Sequence, residues 1–133
     1  MSRLHTWQTR FAVLCMERKV VPFEWGKNDC CLWAADAVLA ITGKDFAEGL
    51  RGTYATTAEA ARMLARVGGV RQLATDVLGD PVSPLHAAVG DVVLFEDAGR
   101  ELLAVCNGGT ALAVAESGLE PLPMSAALAA WRV

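Results

Sequence analysis

One stretch, residues 22–41, constrains the fold of this chain more than any other, and it reads PFEWGKNDCCLWAADAVLAI. No residue from Cys30 to Ile41 breaks a helix, and Asp29 stands where a helix N-cap belongs. An aspartate at that position accepts hydrogen bonds from the first backbone N–H groups of the helix, which otherwise lack partners. The pattern therefore predicts a central helix over residues 30–42, with Gly43 as its stop signal.

The first residue of this predicted helix is a cysteine, and that position has a chemical consequence. The sulfur of Cys30 is expected near the positive end of the helix dipole, which favours a thiolate over a thiol. Cys31 shares a helical face with Ala34 and Ala35, so we expect it to point into the core. Cys30 is therefore a candidate nucleophile, and Asp29 is interpreted as its cap.

The composition excludes several classes of function. The 133 residues are 53% hydrophobic and carry a net charge of −3, which is typical of one globular domain over residues 1–133. No basic run gives an electrostatic reason to expect nucleic-acid binding. No apolar run reaches the ~18 residues that span a bilayer, so we expect no membrane span, and we find no signal peptide.

Four cysteines and two histidines are present, but their spacing matches neither a disulfide framework nor a structural zinc site. We therefore predict no metal and no cofactor. Cys15 and Cys106 are interpreted as small core residues, as free cysteines often are. This cysteine usage fits synthesis in a reducing cytoplasm.

The rest of the chain predicts helices first and an antiparallel sheet second. Apolar residues at helical spacing predict an N-terminal helix over residues 2–18 and a third helix over residues 57–67. Short apolar runs separated by turn residues predict a β-meander over about 90–122. Residues 70–78 fit either a short strand or a helical turn, and residues 125–130 suggest one more helical turn. This order indicates an α+β architecture.

Two pieces of the chain together resemble a known family. PFEWGKNDCCLWAADAV resembles the nucleophile motif of the NlpC-like cysteine peptidases, papain-like enzymes that cleave peptide bonds in bacterial cell walls. AAVGDVVLF resembles the Gly-Asp strand that begins the sheet of that family. The pattern is most similar to small NlpC-like proteins encoded in phage tail modules, and the resemblance covers residues 20–133. It implies a papain-like fold in which the helix that bears Cys30 packs on the sheet.

Carried over by position, the resemblance assigns Cys30 to the nucleophile and leaves the general base unfilled. The base position falls on Leu102 or Leu103, where active members have histidine. Without an imidazole a cysteine peptidase lacks the acid that protonates the leaving amine. His86, in the loop before the first strand, is the remaining candidate base downstream of Cys30.

Two hypotheses about function follow from this resemblance. The first is a structural part of a phage tail tip or baseplate that contacts other tail proteins and is found in the virion after synthesis in a bacterial cytoplasm. Its contacts would involve aromatic residues that we expect to be exposed, namely Trp25, Trp33, Tyr54 and Trp131, although Trp25 and Trp131 fit a covering role over the core of the domain equally well. The alternative is an active cysteine peptidase or amidase that cleaves peptidoglycan peptides, with Cys30 as nucleophile and His86 as base.

Overall fold

Four helices pack on a five-stranded antiparallel sheet in the computed structural model, which describes residues 2–133. The chain is thus α+β, as the order of its patterns predicts. The helices are α1 (Trp7–Arg18), α2 (Cys30–Thr42), α3 (Thr57–Val67) and α4 (Val70–Leu78). The strands are β1 (Val92–Asp97), β2 (Arg100–Cys106), β3 (Thr110–Ala115), β4 (Gly118–Pro123) and β5 (Ala129–Trp131). None of the helices within residues 2–133 has the length and apolar character that a bilayer crossing requires.

Helix α2 is the centre of the core. It begins at the predicted residue, with Asp29 as N-cap, and ends at Gly43, which adopts the left-handed conformation with φ of 79°. Most of its side chains are buried, and its alanines allow neighbouring elements to approach closely. Leu103 and Val105 of β2 belong to the same buried cluster, so this face of the sheet packs on α2.

The sheet has the order β4-β3-β2-β1-β5, and it is divided along one seam. β1 and β2 pair over their whole length, as do β3 and β4. β2 and β3 pair only where Val105 lies opposite Leu112 and Cys106 lies opposite Ala111. The two strands therefore separate over residues 100–104, beside the first turn of α2. We call this opening the β2–β3 gap.

The N-terminal helix is shorter than the predicted range 2–18, because it begins at Trp7. Arg3 is held outside the helix by its guanidinium group, which donates to the carbonyl oxygens of Val89 and Val133 and to the carboxylate of Asp91. Asp91 also accepts from the backbone N–H of Val133. The Gly-Asp pair at the start of the sheet thus joins the N-terminal segment to the C-terminal one.

Two elements differ from the sequence-based expectation. Residues 70–78, which fitted a strand or a helical turn, form helix α4. Residues 125–130 do not form one helical turn: a short 3₁₀ turn covers Met124–Ala126, and Ala129–Trp131 then pairs with β1 as strand β5. Pairing with a strand more than 30 residues away in the chain decides this conformation, which a local pattern does not encode.

Candidate functional site

Cys30 lies half-buried between two adjoining clefts at the start of α2. The larger cleft has a volume of about 580 Å³ and the smaller of about 220 Å³. Both are lined by Trp25, Cys30, Arg100 and Glu101, so the sulfur lies where they meet. The smaller cleft runs into the β2–β3 gap, where it is also lined by Leu102 and by one residue of β3.

Hydrogen bonds to the sulfur of Cys30 favour its thiolate. The thiol of Cys31, whose Sγ lies 3.9 Å from that of Cys30, donates to it, and so does the backbone N–H of Leu103. These bonds lower the pKa of Cys30 against the opposing effects of burial and of the Asp29 carboxylate. The pKa of Cys31 is raised instead, because its proton is held by Cys30 and because it is buried.

Asp29 does more than cap the helix. One carboxylate oxygen accepts from the backbone N–H of Leu32 at 3.0 Å, which is the predicted cap. The other accepts from the backbone N–H of Gly26 at 3.0 Å and from the hydroxyl of Tyr54 at 2.7 Å. Asp29 is 1% exposed, so all three donors meet a buried carboxylate. The carboxylate of Asp29 thus joins three segments: the turn before α2, the first turn of α2 and the loop that carries Tyr54.

Sequence reasoning missed the part of Tyr54 in this site. The expectation of a surface contact is wrong, because Tyr54 is buried and its hydroxyl is held by Asp29. Burial and that hydrogen bond raise the pKa of Tyr54 well above its usual range, so the phenol remains a donor. Gly49 and Gly52, which precede it, favour a turn or loop but do not indicate its partner. Its partner lies 25 residues earlier, beyond the reach of a local pattern.

Ion pairs hold the loop that carries Tyr54 against α2. Asp36, on the buried side of the helix, pairs with Arg18 and with Arg51, whose Nη2 lies 2.7 Å from Asp36 Oδ1. Arg51 also contacts Asp45 at 2.9 Å and lowers the pKa of that carboxyl group. Arg51 therefore acts within the fold, and the loop is anchored at a site separate from Asp29.

Leu103 faces Cys30 on the α2 side of the sheet. Leu103 belongs to the cluster on the α2 side, whereas Leu102 packs with Val93 and Phe95 on the opposite face. Of the two residues that the resemblance aligns with a general base, Leu103 is therefore the one near the sulfur. It is fully buried and offers a backbone N–H but no titratable side chain.

The structure does not bring His86 to Cys30. His86 is exposed in a 3₁₀ turn that precedes β1 and contacts β5, and it lines neither cleft. Gly90, just after this turn, lies against Ile41 at the far end of α2. Thirteen helical residues span about 20 Å, so His86 and Cys30 lie near opposite ends of the helix. His5 is likewise exposed and lines neither cleft.

Of the four aromatic residues predicted to bind a partner, Trp25 has the exposure that binding requires. It is half-buried, packs edge-on against Phe23 with ring centroids 4.7 Å apart, and lines both clefts. Its indole N–H donates to Thr57 at 3.1 Å, which fixes the ring to the start of α3. Trp25 thus forms a firm wall of the site.

Trp33 and Trp131 are fully buried, which corrects the expectation that they are exposed. The indole N–H of Trp33 donates to the carbonyl oxygen of Leu112 at 2.9 Å, and that of Trp131 donates to Thr75 at 3.3 Å. Because each polar edge has a partner, both rings can lie in the core without leaving a donor unsatisfied. Trp33 also ties α2 to β3 beside the β2–β3 gap.

The donor set at the site does not suit a metal ion. Within residues 2–133, no group of three His, Cys, Asp or Glu side chains is arranged to hold one. The arrangement instead presents a thiol with a lowered pKa, a buried carboxylate occupied by structural hydrogen bonds, and charged residues at the rim. It supports nucleophilic attack by sulfur or ligand binding, but within residues 2–133 the two clefts hold no imidazole to move a proton.

Comparison with known families places the chain in one of them. Residues 2–133 match the family described as a domain of unknown function, DUF6950, and the chain therefore belongs to that family. No curated protein matches the chain.

Proposed function

Starting from this membership of the DUF6950 family, we propose that the chain is a structural component of a phage or phage-derived tail tip or baseplate. It would be built on an NlpC-like fold that has lost the general base of the peptidases. The observation that carries this proposal is Leu103, a buried leucine that faces Cys30 where active peptidases have histidine. Its contacts would be with neighbouring tail proteins, and it would reside in the virion.

Proton transfer is the step that this site lacks. A thiolate is able to attack a carbonyl carbon, but the leaving amine must then receive a proton. The pKa of Cys31 is raised, and the hydroxyl of Tyr54 donates its hydrogen bond to Asp29, so neither is a suitable acid for that transfer. Loss of a positioned acid or base lowers a rate by a factor of about 10²–10⁴. A leucine at this position therefore favours a structural role over hydrolysis.

The retained scaffold supports the same proposal. The Asp29 cap, the alanine-rich helix α2 and the strand that follows Asp91 occur in the order and at the spacing that the resemblance to the NlpC-like motif implies. These parts have structural duties here: Asp29 joins three segments, and Asp91 joins the N-terminal and C-terminal segments. They therefore have a reason to persist without catalysis.

A hydrolysis assay with a matched variant tests the proposal. The purified chain and its Cys30→Ser variant are incubated with peptidoglycan, and released peptides are measured by mass spectrometry. We expect no release above the background of the variant. Particles assembled without the chain are expected to have incomplete tails, and restoring the Cys30→Ser variant is expected to repair them. Hydrolysis that disappears in the variant, or normal tails without the chain, would contradict the proposal.

The alternative, an active peptidase or amidase, is favoured by the lowered pKa of Cys30 and its access to a cleft of about 580 Å³. Because His86 lies far from the sulfur, the base would have to come from a partner chain. This alternative predicts that Cys30-dependent hydrolysis appears when neighbouring tail proteins are added and is absent with the isolated chain. Absence of hydrolysis in the assembled tail would refute it.

A further inference from the structure

A separate groove of about 450 Å³ lies on the face of the sheet that points away from α2. Phe95, Leu102 and Leu122, which pack together on this face, line it with apolar surface. Cys30 is not part of it. The groove and the smaller cleft are nevertheless both lined by Leu102 and Val114, which lie on either side of the β2–β3 gap.

Beside this groove the β2–β3 gap leaves the backbone groups of Glu101 without a strand partner, whereas the N–H of Leu103 is held by the sulfur of Cys30. The backbone N–H of Cys106 donates to Asp91, just before β1, so alternation along β2 directs the backbone groups of Glu101 away from β1. β3 does not pair with β2 at this height. An open edge of this kind is where an extended segment adds to a sheet through backbone hydrogen bonds.

The charge around the groove has one sign. Glu96, Asp97 and Glu120 line it, and within residues 2–133 neither a lysine nor an arginine does. In the same part of the chain none of these three carboxylates forms an ion pair. Arg100 lies opposite Asp97 in the hairpin and lines the clefts on the Cys30 side, which Glu96 and Asp97 also line, whereas Glu120 lines the groove alone. The groove is thus apolar on its floor and acidic around it.

We propose that this groove binds an extended segment of a neighbouring protein in which lysine or arginine residues flank apolar ones. The apolar side chains would cover Phe95 and Leu102, the backbone would pair with the open groups of Glu101, and the flanking cations would meet Asp97 and Glu120, which lie on the same face as that floor. The inference rests on the proposed role in an assembly, for which it names the interface and the chemistry of the partner. A nucleic acid does not fit, because its phosphates would meet carboxylates.

The probe is a blocked synthetic peptide in which lysines flank a short run of valines, and its control is the same peptide with glutamate in place of lysine. Each is titrated into the ¹⁵N-labelled chain while amide shifts are followed by NMR. The lysine peptide is expected to move the amides of Phe95, Ala113 and Glu120, which line the groove and neither Cys30 cleft, and the glutamate peptide to move none. Glu120→Gln removes one exposed carboxylate and is expected to weaken binding about two- to fivefold. Glu48→Gln, an exposed change outside the groove, is expected to leave it unchanged.

Several outcomes would overturn the inference. Shifts confined to the Cys30 clefts, equal binding of the glutamate peptide, equal weakening by Glu48→Gln, or no shift at millimolar peptide would each exclude a basic segment in this groove. Failure here differs from failure of the proposed function. Cys30-dependent hydrolysis would refute the structural role and leave the groove result standing, whereas a groove that binds neither peptide would leave the tail-assembly result unaffected.

Discussion

Replacement of Asp29 by alanine tests how much of the fold depends on one carboxylate. The substitution removes the N-cap bond to Leu32, worth about 1 kcal/mol, and the bonds from Gly26 and Tyr54, worth about 1.5 kcal/mol each because the acceptor is charged. The expected loss in the free energy of unfolding is therefore about 4 kcal/mol. The matched control is Thr56→Ala, which removes an exposed N-cap bond to Glu59 and is expected to cost about 1 kcal/mol.

Urea denaturation followed by tryptophan fluorescence and by circular dichroism measures both variants. The total free energy of unfolding of a domain of this size is about 5–15 kcal/mol, so Asp29→Ala is expected to be only marginally stable. Tyr54→Phe provides a gentler variant, with an expected loss of about 1.5 kcal/mol. Because the bond between Tyr54 and Asp29 is absent from both single variants, the double variant is expected to lose less than their sum. Equal losses for Asp29→Ala and Thr56→Ala, or strict additivity with Tyr54→Phe, would refute the three-donor account of Asp29.

Three further predictions concern a glycine, the thiols and acid stability. Gly26 has a φ of 78°, and in Gly26→Ala the new Cβ would lie 1.9 Å from the carbonyl oxygen of Tyr54, so the free energy of unfolding is expected to fall by about 3 kcal/mol or more. The control Gly52→Ala has a similar φ of 71° but no neighbouring atom, and it is expected to cost about 1–2 kcal/mol. Equal losses for the two variants would contradict the steric argument. The folded chain is labelled with iodoacetamide at pH 8 for increasing times, and the modified cysteines are identified by peptide mapping. Cys30 is expected to react first, because its pKa is lowered, and Cys15 slowly, because burial raises its pKa to about 11. The reverse order would contradict both pKa directions. The bond with Arg51 lowers the pKa of Asp45 in the folded state, so the ionised carboxylate stabilises the fold above the ordinary carboxyl range and this stabilisation is lost as the pH falls. Asp45→Asn is therefore expected to have a lower free energy of unfolding than the natural chain at pH 6, and the difference is expected to shrink in acid. A difference that does not change with pH would refute this.

The elements that could be predicted from the sequence are those whose signals lie within a few residues. The ranges of α2 and α3 coincide with the predicted ones, because Asp29 and Thr56 cap them and Gly43 and Gly68 end them. The cap and stop signals act through bonds to the nearest turn, so the pattern contains all the information needed.

The parts that could not be predicted depend on partners far along the chain. Strand β5 exists because Ala129–Trp131 pairs with β1, and α4 lacks a side-chain cap that would mark its start. The burial of Trp33 depends on a carbonyl group of β3, and the role of Tyr54 depends on Asp29. At the site, the sequence correctly predicted that Cys30 begins α2 with Asp29 as its N-cap. That His86 lies near the opposite end of this helix depends on the fold and could not be predicted.

The narrow join between β2 and β3 has a mechanical consequence for the whole sheet. Two residue pairs connect the β3–β4 hairpin to β2. The hairpin is also bonded to α2 and to the segment that precedes it: the indole N–H of Trp33 and the backbone N–H of Phe23 donate to carbonyl oxygens of β3, and the backbone N–H of Leu119 donates to the carbonyl oxygen of Lys19. The hairpin is thus coupled to the helices and their connecting segment as well as to its neighbouring strand. Under mechanical load, deformation is expected to concentrate at these two residue pairs beside the Asn107 turn, so that the β3–β4 hairpin bends relative to the other three strands.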